Sequence, residues 1–550
     1  MKGTRSKRTG VLLGVAAAML VLLVTACAGG DEQGEAADGV ITVNWGSEPP
    51  SLDPGLATDT TSSNILNNIM DPLLKLEGEN LEPTPGLAES WEVNGTTVTF
   101  RLRQDGKWTN GDPVTAQDFE WSWKRTISPD LAADYAYQFF GIVGAADYNS
   151  CKQNCDAMAD EVGVTAVDDS TLRVELTSQQ PWFVQQVAHT SFLPVHRPTV
   201  EQFGEKWTEA ANIVTNGPFQ LDTWQHNSRI DLVKWPEWRN AQDVALERVN
   251  GRMISEGTTA VQAFEAGEVD ETGALGGLPP EELPRLKGLP EYEQTPSLAT
   301  YYYGVNTKNV PDVNQRRAMS LAIDRRSIID NIAQADQLPA TGFTPSGMPG
   351  FDTITPNSEY LPETADVERA KELMSQVQDP VTDITLVIND APGHREIAVA
   401  VQDMWRELGI DVEIQQQEWA QFLESLGPPP AASTDVYRNG WVGDYVDAMN
   451  FLELWTCDSG NNNTNHCNEE YDALVDEARQ TPENGERYEL YGQMEELFFG
   501  PEGDMPLIPI YFYTNVSLQR ESIKGTFDQN LLDQIDLTKV VEGDAGEEDV

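Results

Sequence analysis

The stretch DITLVINDAPGHREIAVAVQDMWRELGIDVEIQQQEW, Asp383 to Trp419, decides the fold. It opens on an apolar run, Asp383–Asp390, which Ala391–Gly393 break. From His394 to Leu408 the apolar residues recur at helical spacing, and from Gly409 onward alternation returns. Strand, helix and strand in that order read as a β-α-β unit, so a parallel sheet and a right-handed crossover are expected. A later strand is read in TDVYRNGWV, Thr434–Val442. Ligands of open parallel sheets bind beyond the carboxyl ends of the strands. His394 follows the first of these strands and Asp444 follows the later one, so the two mark a cleft. Asp444 and Arg438 stand among apolar, Gly and aromatic residues in YRNGWVGDY, Tyr437–Tyr445. A buried charge is costly without a partner. The stretch leaves open whether the two pair with each other, with other protein groups or with a ligand.

Outward from this unit the chain reads as mixed α and β. TTVTFRLRQDGKW, Thr96–Trp108, suggests a hairpin with QDG as its turn. AQDFEWSWKRTI, Ala116–Ile127, reads as an amphipathic helix and STLRVELTS, Ser170–Ser178, as a strand. Residues 41–54 and 213–290 mix strands with Pro and Gly turns. A chain of 550 residues, 39% of them apolar, is long enough for two or three lobes. Its net charge of −53, from 89 acidic and 36 basic residues, excludes nucleic acid as a partner, because phosphate binding needs a basic footprint. Most of that acidity reads as solvated surface.

The N-terminus reads as a targeting segment. MKGTRSKR is basic, and the apolar run Val11–Val24 that follows it is short for a bilayer span. The run ends in LVTAC, Leu23–Cys27, where Ala26 before Cys27 resembles a lipobox. Residues 1–26 are thus expected to be a lipoprotein signal peptide, with Cys27 lipidated as the mature N-terminus. Residues 27–39 read as a flexible acidic tether and 541–550 as a disordered acidic tail. The remaining cysteines are Cys151, Cys155, Cys457 and Cys467. An even number in an exported chain favours disulfides. Four cysteines allow three connectivities, of which local pairing, 151 with 155 and 457 with 467, is favoured. The spacing Cys151–Cys155 is poor for zinc, and no metal or other cofactor is expected.

Motifs for a nucleophile elbow, a zinc protease, a phosphate-binding loop and a dinucleotide fold are missing, so no enzymatic activity is expected. The histidines are scattered, at 189, 196, 226, 394 and 466. Aromatic residues near strand ends, among them Tyr135, Trp419, Trp441 and the run TYYYGVN (Thr300–Asn306), suit either core packing or the wall of a ligand cavity.

Taken together, several segments resemble one family. They are GSEPPSLDP near the start of the mature chain, LAESWEVNGTTVTFRLRQDGKWTNGDPVTAQDFEWSWKR, FGEKWTEAANIVTNGPFQL, ATYYYGVNTK, RRAMSLAIDR, QEWAQFL and DVYRNGWVGDY. The chain is similar over about residues 41–520 to the extracytoplasmic solute-binding proteins of ABC importers, family 5, of the large oligopeptide-binding type. The resemblance implies an α/β periplasmic-binding-protein-like fold of type II, with two lobes, a hinge and an extra domain. Lobe I would comprise 40–70, 196–298 and 515–540, the extra domain 71–195, and lobe III 299–514, with hinge crossings near Ala299 and Thr514. Carried onto this sequence, Asp444 would take a peptide's ammonium group. Arg438 and His394 would take its carboxylate at different ligand lengths, though Arg438 could instead balance the protein's own acids. Gly440, Trp441 and Val442 on one side and Thr58, Asp59 and Thr60 on the other would pair with the peptide backbone as added strands. Tyr135 and Trp419 would line side-chain pockets. Val442 and Gly443 stand where some relatives have Cys and Ala, and Lys308 is one position out of register with a family lysine.

The function so implied is that of a monomeric receptor, lipid-anchored at the outer face of the cytoplasmic membrane. It would capture short peptides in a closing cleft and deliver them to ABC permease subunits. A receptor of the same fold for an oligosaccharide, nickel, haem or a signalling peptide is the alternative.

Overall fold

The structure is a computed structural model, which describes residues 39–541 apart from 79–80, 154, 273–276, 356–357, 392, 428–433, 525–526 and 528–529. The signal segment, Cys27 and nearly all of the tether and tail lie outside the described residues. No helix among the described residues is long and apolar enough to cross a membrane.

The β-α-β unit forms as strand Asp383–Asn389, helix His394–Arg406 and strand Asp411–Gln417, and the two strands pair in parallel. The helix buries His394, Ile397, Ala398, Val401 and Trp405, a stripe at i, i+3, i+4 spacing. Trp405 pins it by donating its indole N–H to Met319 O at 2.8 Å. The unit belongs to a six-stranded sheet in the order Leu338–Pro339, Leu507–Leu518, Tyr292–Val305, Val436–Val442, Asp383–Asn389, Asp411–Gln417. Only the last three strands are mutually parallel, since Val436–Val442 and Tyr292–Val305 pair antiparallel. The sheet is therefore mixed rather than the parallel sheet expected from the β-α-β unit alone.

Two further four-stranded sheets stand apart from it. One orders Val40–Asn44, Arg248–Arg252, Arg229–Lys234 and Phe219–Gln225, with only its first pair parallel. The other is antiparallel and orders Ala88–Asn94, Thr97–Leu102, Thr171–Glu175 and Val164–Asp168. The hairpin in this sheet lies upstream of the QDG turn that the sequence suggests. It joins Ala88–Asn94 to Thr97–Leu102 through Gly95, whose φ of 65° suits the first central position of a two-residue turn. Asp105 of QDG instead pairs with exposed Arg103 at 2.5 Å.

Three large cores sit with these sheets. One draws on Ile41–Met70, Leu193–Val249 and Ile523–Val540. A second runs from Leu73 to Phe192. The largest runs from Leu298 to Tyr511, and it also takes in Leu81, Tyr135, Tyr137, Trp182 and Leu532 from the other parts of the chain. Strands Tyr292–Val305 and Leu507–Leu518 run side by side out of the largest core, and their register shifts between Pro296 and Thr300.

Candidate functional site

A cavity of about 410 Å³ opens where these cores meet. Its wall carries Asp444, Arg438, Gly440, Trp441, Val442, His394, Trp419, Tyr135, Thr58, Asp59 and Thr60, so all the residues singled out from the sequence come together. The Val436–Val442 strand explains much of this. On one side it pairs with Ala299–Val305 along its whole length. On the other it meets Asp383–Asn389 only at Val436 and Tyr437, so from Arg438 to Val442 this edge has no strand partner among the described residues. Gly440 leaves room for Tyr513 on the sheet face: a Cβ there would come within 2.9 Å of the Tyr513 hydroxyl.

Across the cavity, extended backbone ends at Asp59, because Thr60 is the first residue of helix Thr60–Ile69. Asp59 caps that helix, accepting from Ser62 N at 3.0 Å and Ser62 Oγ at 2.5 Å. Burial raises the Asp59 carboxyl above its usual range despite these bonds. Thr58 and Asp59 therefore offer backbone to a ligand in extended form, while Thr60 does so only as the start of a helix.

The Asp444 carboxylate is 7% exposed. Its Oδ2 accepts from Gln138 Nε2 and from Asn450 Nδ2, both at 2.7 Å. Its Oδ1 lies 3.1 Å from His189 Nε2. His189 Nδ1 accepts from Ser191 N at 3.3 Å, an arrangement that leaves the proton on Nε2 to point at Asp444. No Lys or Arg among the described residues pairs with this anion. Three groups on separate segments hold it in place in a buried position without a Lys or Arg, which suits it to a cation entering the cavity.

Arg438 is the converse case. It is 6% exposed and makes no ion pair among the described residues. It donates to Asn389 Oδ1 at 3.1 Å and to the Tyr513 hydroxyl, and it stacks over the Tyr301 ring at 4.7 Å. Its Nε has no acceptor. Arg438 and Asp444 therefore do not pair with each other. His394 heads its helix, and its Nδ1 is buried without a partner among the described residues. Burial, and then the charge of Arg438, lower the His394 imidazole well below its ordinary value, so it stands neutral beside the guanidinium.

Aromatic rings form the wall between. Tyr135 stacks on His189 at 5.1 Å and on Trp441 at 5.9 Å. Burial, and then the nearby Asp444 charge, hold the Tyr135 phenol well above its ordinary range. Trp441 donates to Asn450 Oδ1 at 3.1 Å, which ties the aromatic wall to the donors around Asp444. Trp419 is half-buried and stacks on Phe422 at 5.7 Å.

The cysteines pair locally, Cys151 with Cys155 and Cys457 with Cys467. The second bridge brackets a loop whose Gly460, Asn461 and Asn463 also line the cavity. Lys308 bonds Asn465 Oδ1 at 2.9 Å and is not on the cavity wall. Sequence reasoning missed His189, Gln138, Tyr513 and Asp533. His189 carried a weak signal as one of few histidines; the others carried none.

Comparisons with known proteins agree on one class. A family model for bacterial extracellular solute-binding proteins, family 5 middle, matches residues 82–463. The oligopeptide-binding protein OppA of Bacillus subtilis is 36% identical over 503 residues, covering 88% of this chain and 89% of that protein. The crystal structure of Haemophilus influenzae OppA in complex with RPPGFSPFR superposes with a TM-score of 0.84 at 30% identity, covering 92% of this chain and 100% of that one. The unliganded open form of the murein tripeptide-binding protein MppA gives 0.62, also at 30% identity, over 92% and 98% of the two chains. Fold and cavity define an α/β solute-binding protein of the periplasmic-binding-protein kind, in its large peptide-binder class. The chain belongs to the bacterial extracellular solute-binding proteins, family 5, of peptide ABC importers.

Proposed function

We propose that the chain captures short peptides in this cavity and passes them, unaltered, to the membrane permease of an ABC importer. One observation carries the reading: a buried anion, Asp444, and a buried cation, Arg438, line the same cavity with no Lys, Arg, Asp or Glu paired to either among the described residues, and a strand edge with no strand partner among those residues lies between them. An extended peptide offers an ammonium group, a hydrogen-bonding backbone and a carboxylate in that order. Asp444 takes the ammonium, Arg438 or His394 the carboxylate, and Gly440–Val442 with Thr58–Asp59 the backbone. Backbone pairing ignores side-chain identity, which suits uptake of varied peptides. Tyr135, Trp441 and Trp419 line the side-chain space.

The three cores then act as lobe I (40–70, 196–298, 515–540), the extra domain (71–195) and lobe III (299–514). The hinge is the paired strands around Ala299 and Thr514. The higher TM-score with the peptide complex than with the open form supports the closed arrangement for the lobes here. The chain works as a monomer without a cofactor, outside the cytoplasm, held to the membrane by a lipid on Cys27. Titration calorimetry with a short peptide and its N-acetylated form tests the core of this reading. Acetylation is expected to abolish or greatly weaken binding; equal affinities would refute the ammonium anchor. Cys27→Ser is expected to release the protein from the membrane fraction.

A further inference from the structure

Among the cavity's carboxylates, Asp533 has no role in the scheme above. Asp444 faces the ammonium site, and both Asp59 oxygens accept from Ser62. Asp134 is exposed at the rim. Asp533 lines the cavity at 9% exposure. One of its oxygens accepts from Asn515 Nδ2, Ser297 and the Tyr513 phenol are its other polar neighbours, and no cation among the described residues faces it. Burial pushes its carboxyl up to about 6, which reports a charge that lacks a counter-ion. Its backbone is left-handed, with φ 56°, a conformation that disfavours ordinary side chains and turns this one into place.

The position is fixed from both sides of the cavity. Leu532 packs where a Cβ on Gly443 would meet it at 3.2 Å, next to Asp444. Asn64, in the helix headed by Thr60, donates to Asp533 O at 2.8 Å and accepts from Ile535 N at 2.7 Å. Asp533 is thus tied to both of the segments assigned to the peptide backbone, through Leu532 on one side and Asn64 on the other.

We propose that Asp533 is a second cation-accepting carboxylate of this cavity, selecting peptides that carry a lysine or arginine side chain. The proposal rests on the peptide-binding reading and adds a side-chain preference to it. A charge-assisted contact in a buried site is expected to favour such a peptide by about tenfold or more.

The test uses Ala-Ala-Ala-type tripeptides carrying Lys or the uncharged isostere norleucine at each position in turn, with the N-acetylated form of each. Titration calorimetry is run on the wild type and on Asp533→Asn. Asparagine keeps the hydrogen-bonding shape and tolerates a left-handed backbone, and thermal unfolding verifies the variant's fold. At one position the wild type is expected to bind Lys about tenfold tighter than norleucine. Asp533→Asn is expected to erase that ratio while leaving norleucine affinity unchanged. A wild type with no lysine preference at any position overturns the proposal, as does a variant that weakens both peptides equally. In either case, sensitivity to acetylation shows that the peptide-binding reading survives. Failure of every peptide to bind overturns both.

Discussion

At one end of the cavity Asp444 accepts from Gln138 and Asn450 and faces His189 Nε2; at the other Arg438 donates to Asn389 and Tyr513 and leaves Nε unpaired. Both are buried charges without a Lys, Arg, Asp or Glu partner among the described residues, but they are held differently. The carboxylate is clamped by three donors on separate segments and cannot turn to follow a ligand. The guanidinium rests on a Tyr301 ring with one donor free, so it can adjust. A fixed anion suits a group that every peptide presents in one place, its ammonium. An adjustable cation, with neutral His394 beside it, suits a carboxylate whose position varies with peptide length.

The largest expected effect breaks the fixed end. Asp444→Ala should cost about 3–5 kcal/mol in peptide affinity, as removal of one partner of a buried charge pair does. Calorimetry should show the unblocked peptide losing most of its affinity and the acetylated peptide losing little. A loss below about tenfold would mean that the ammonium group is not the anchor.

A buried carboxylate away from the cavity sharpens the comparison. Glu495 accepts from Phe343 N, from Thr344 N at 2.8 Å and from Thr344 Oγ1 at 2.8 Å, again only neutral donors. Burial raises it to about 7, with no ligand to relieve it. Its folded value lies above its unfolded one, so the folded state binds the extra proton. Stability from this group is full below about pH 4.5 and is lost as pH rises to about 7, a change of about 3 kcal/mol. Glu495→Gln should flatten that slope in denaturant titrations run from pH 5 to 8. Parallel slopes in variant and wild type would place the charge elsewhere.

Arg438→Met comes next. It should weaken peptides with a free carboxylate by about 1.5–3 kcal/mol and leave C-terminally amidated peptides unchanged. Fold stability should hold or rise, since the variant removes a buried cation that has no counter-ion. Equal losses for both peptide forms would make Arg438 a structural residue of the sheet.

The sequence made the lining of this cavity readable for a physical reason. Strand ends next to apolar runs locate polar residues such as His394 and Asp444, and the family resemblance supplied Tyr135 and Thr58–Thr60 from far away in the chain. The supporting donors were not readable. Gln138 meets Asp444 across 306 residues, and a glutamine in a short helical turn has no pattern of its own. The misplaced hairpin has a local cause. Ala88–Asn94 is mostly exposed, so it lacks the alternation that marks a strand, and QDG competed with the true Gly95–Thr96 turn.

The smallest effect expected is at His394. Its imidazole is depressed by burial and by Arg438, so it stays neutral through the physiological range and offers a single neutral hydrogen bond. His394→Gln should therefore change affinity by only about 0.5–1.5 kcal/mol, and only for peptides whose carboxylate reaches it. It should not alter how many protons binding takes up between pH 6 and 8, measured by calorimetry in buffers of different ionisation enthalpy. Were the histidine to charge on binding, the wild type would take up a proton that the variant does not, and the affinity gap would widen as pH falls. The adjustable end would then hold two cations for one carboxylate, an arrangement that the burial of His394 beside Arg438 opposes.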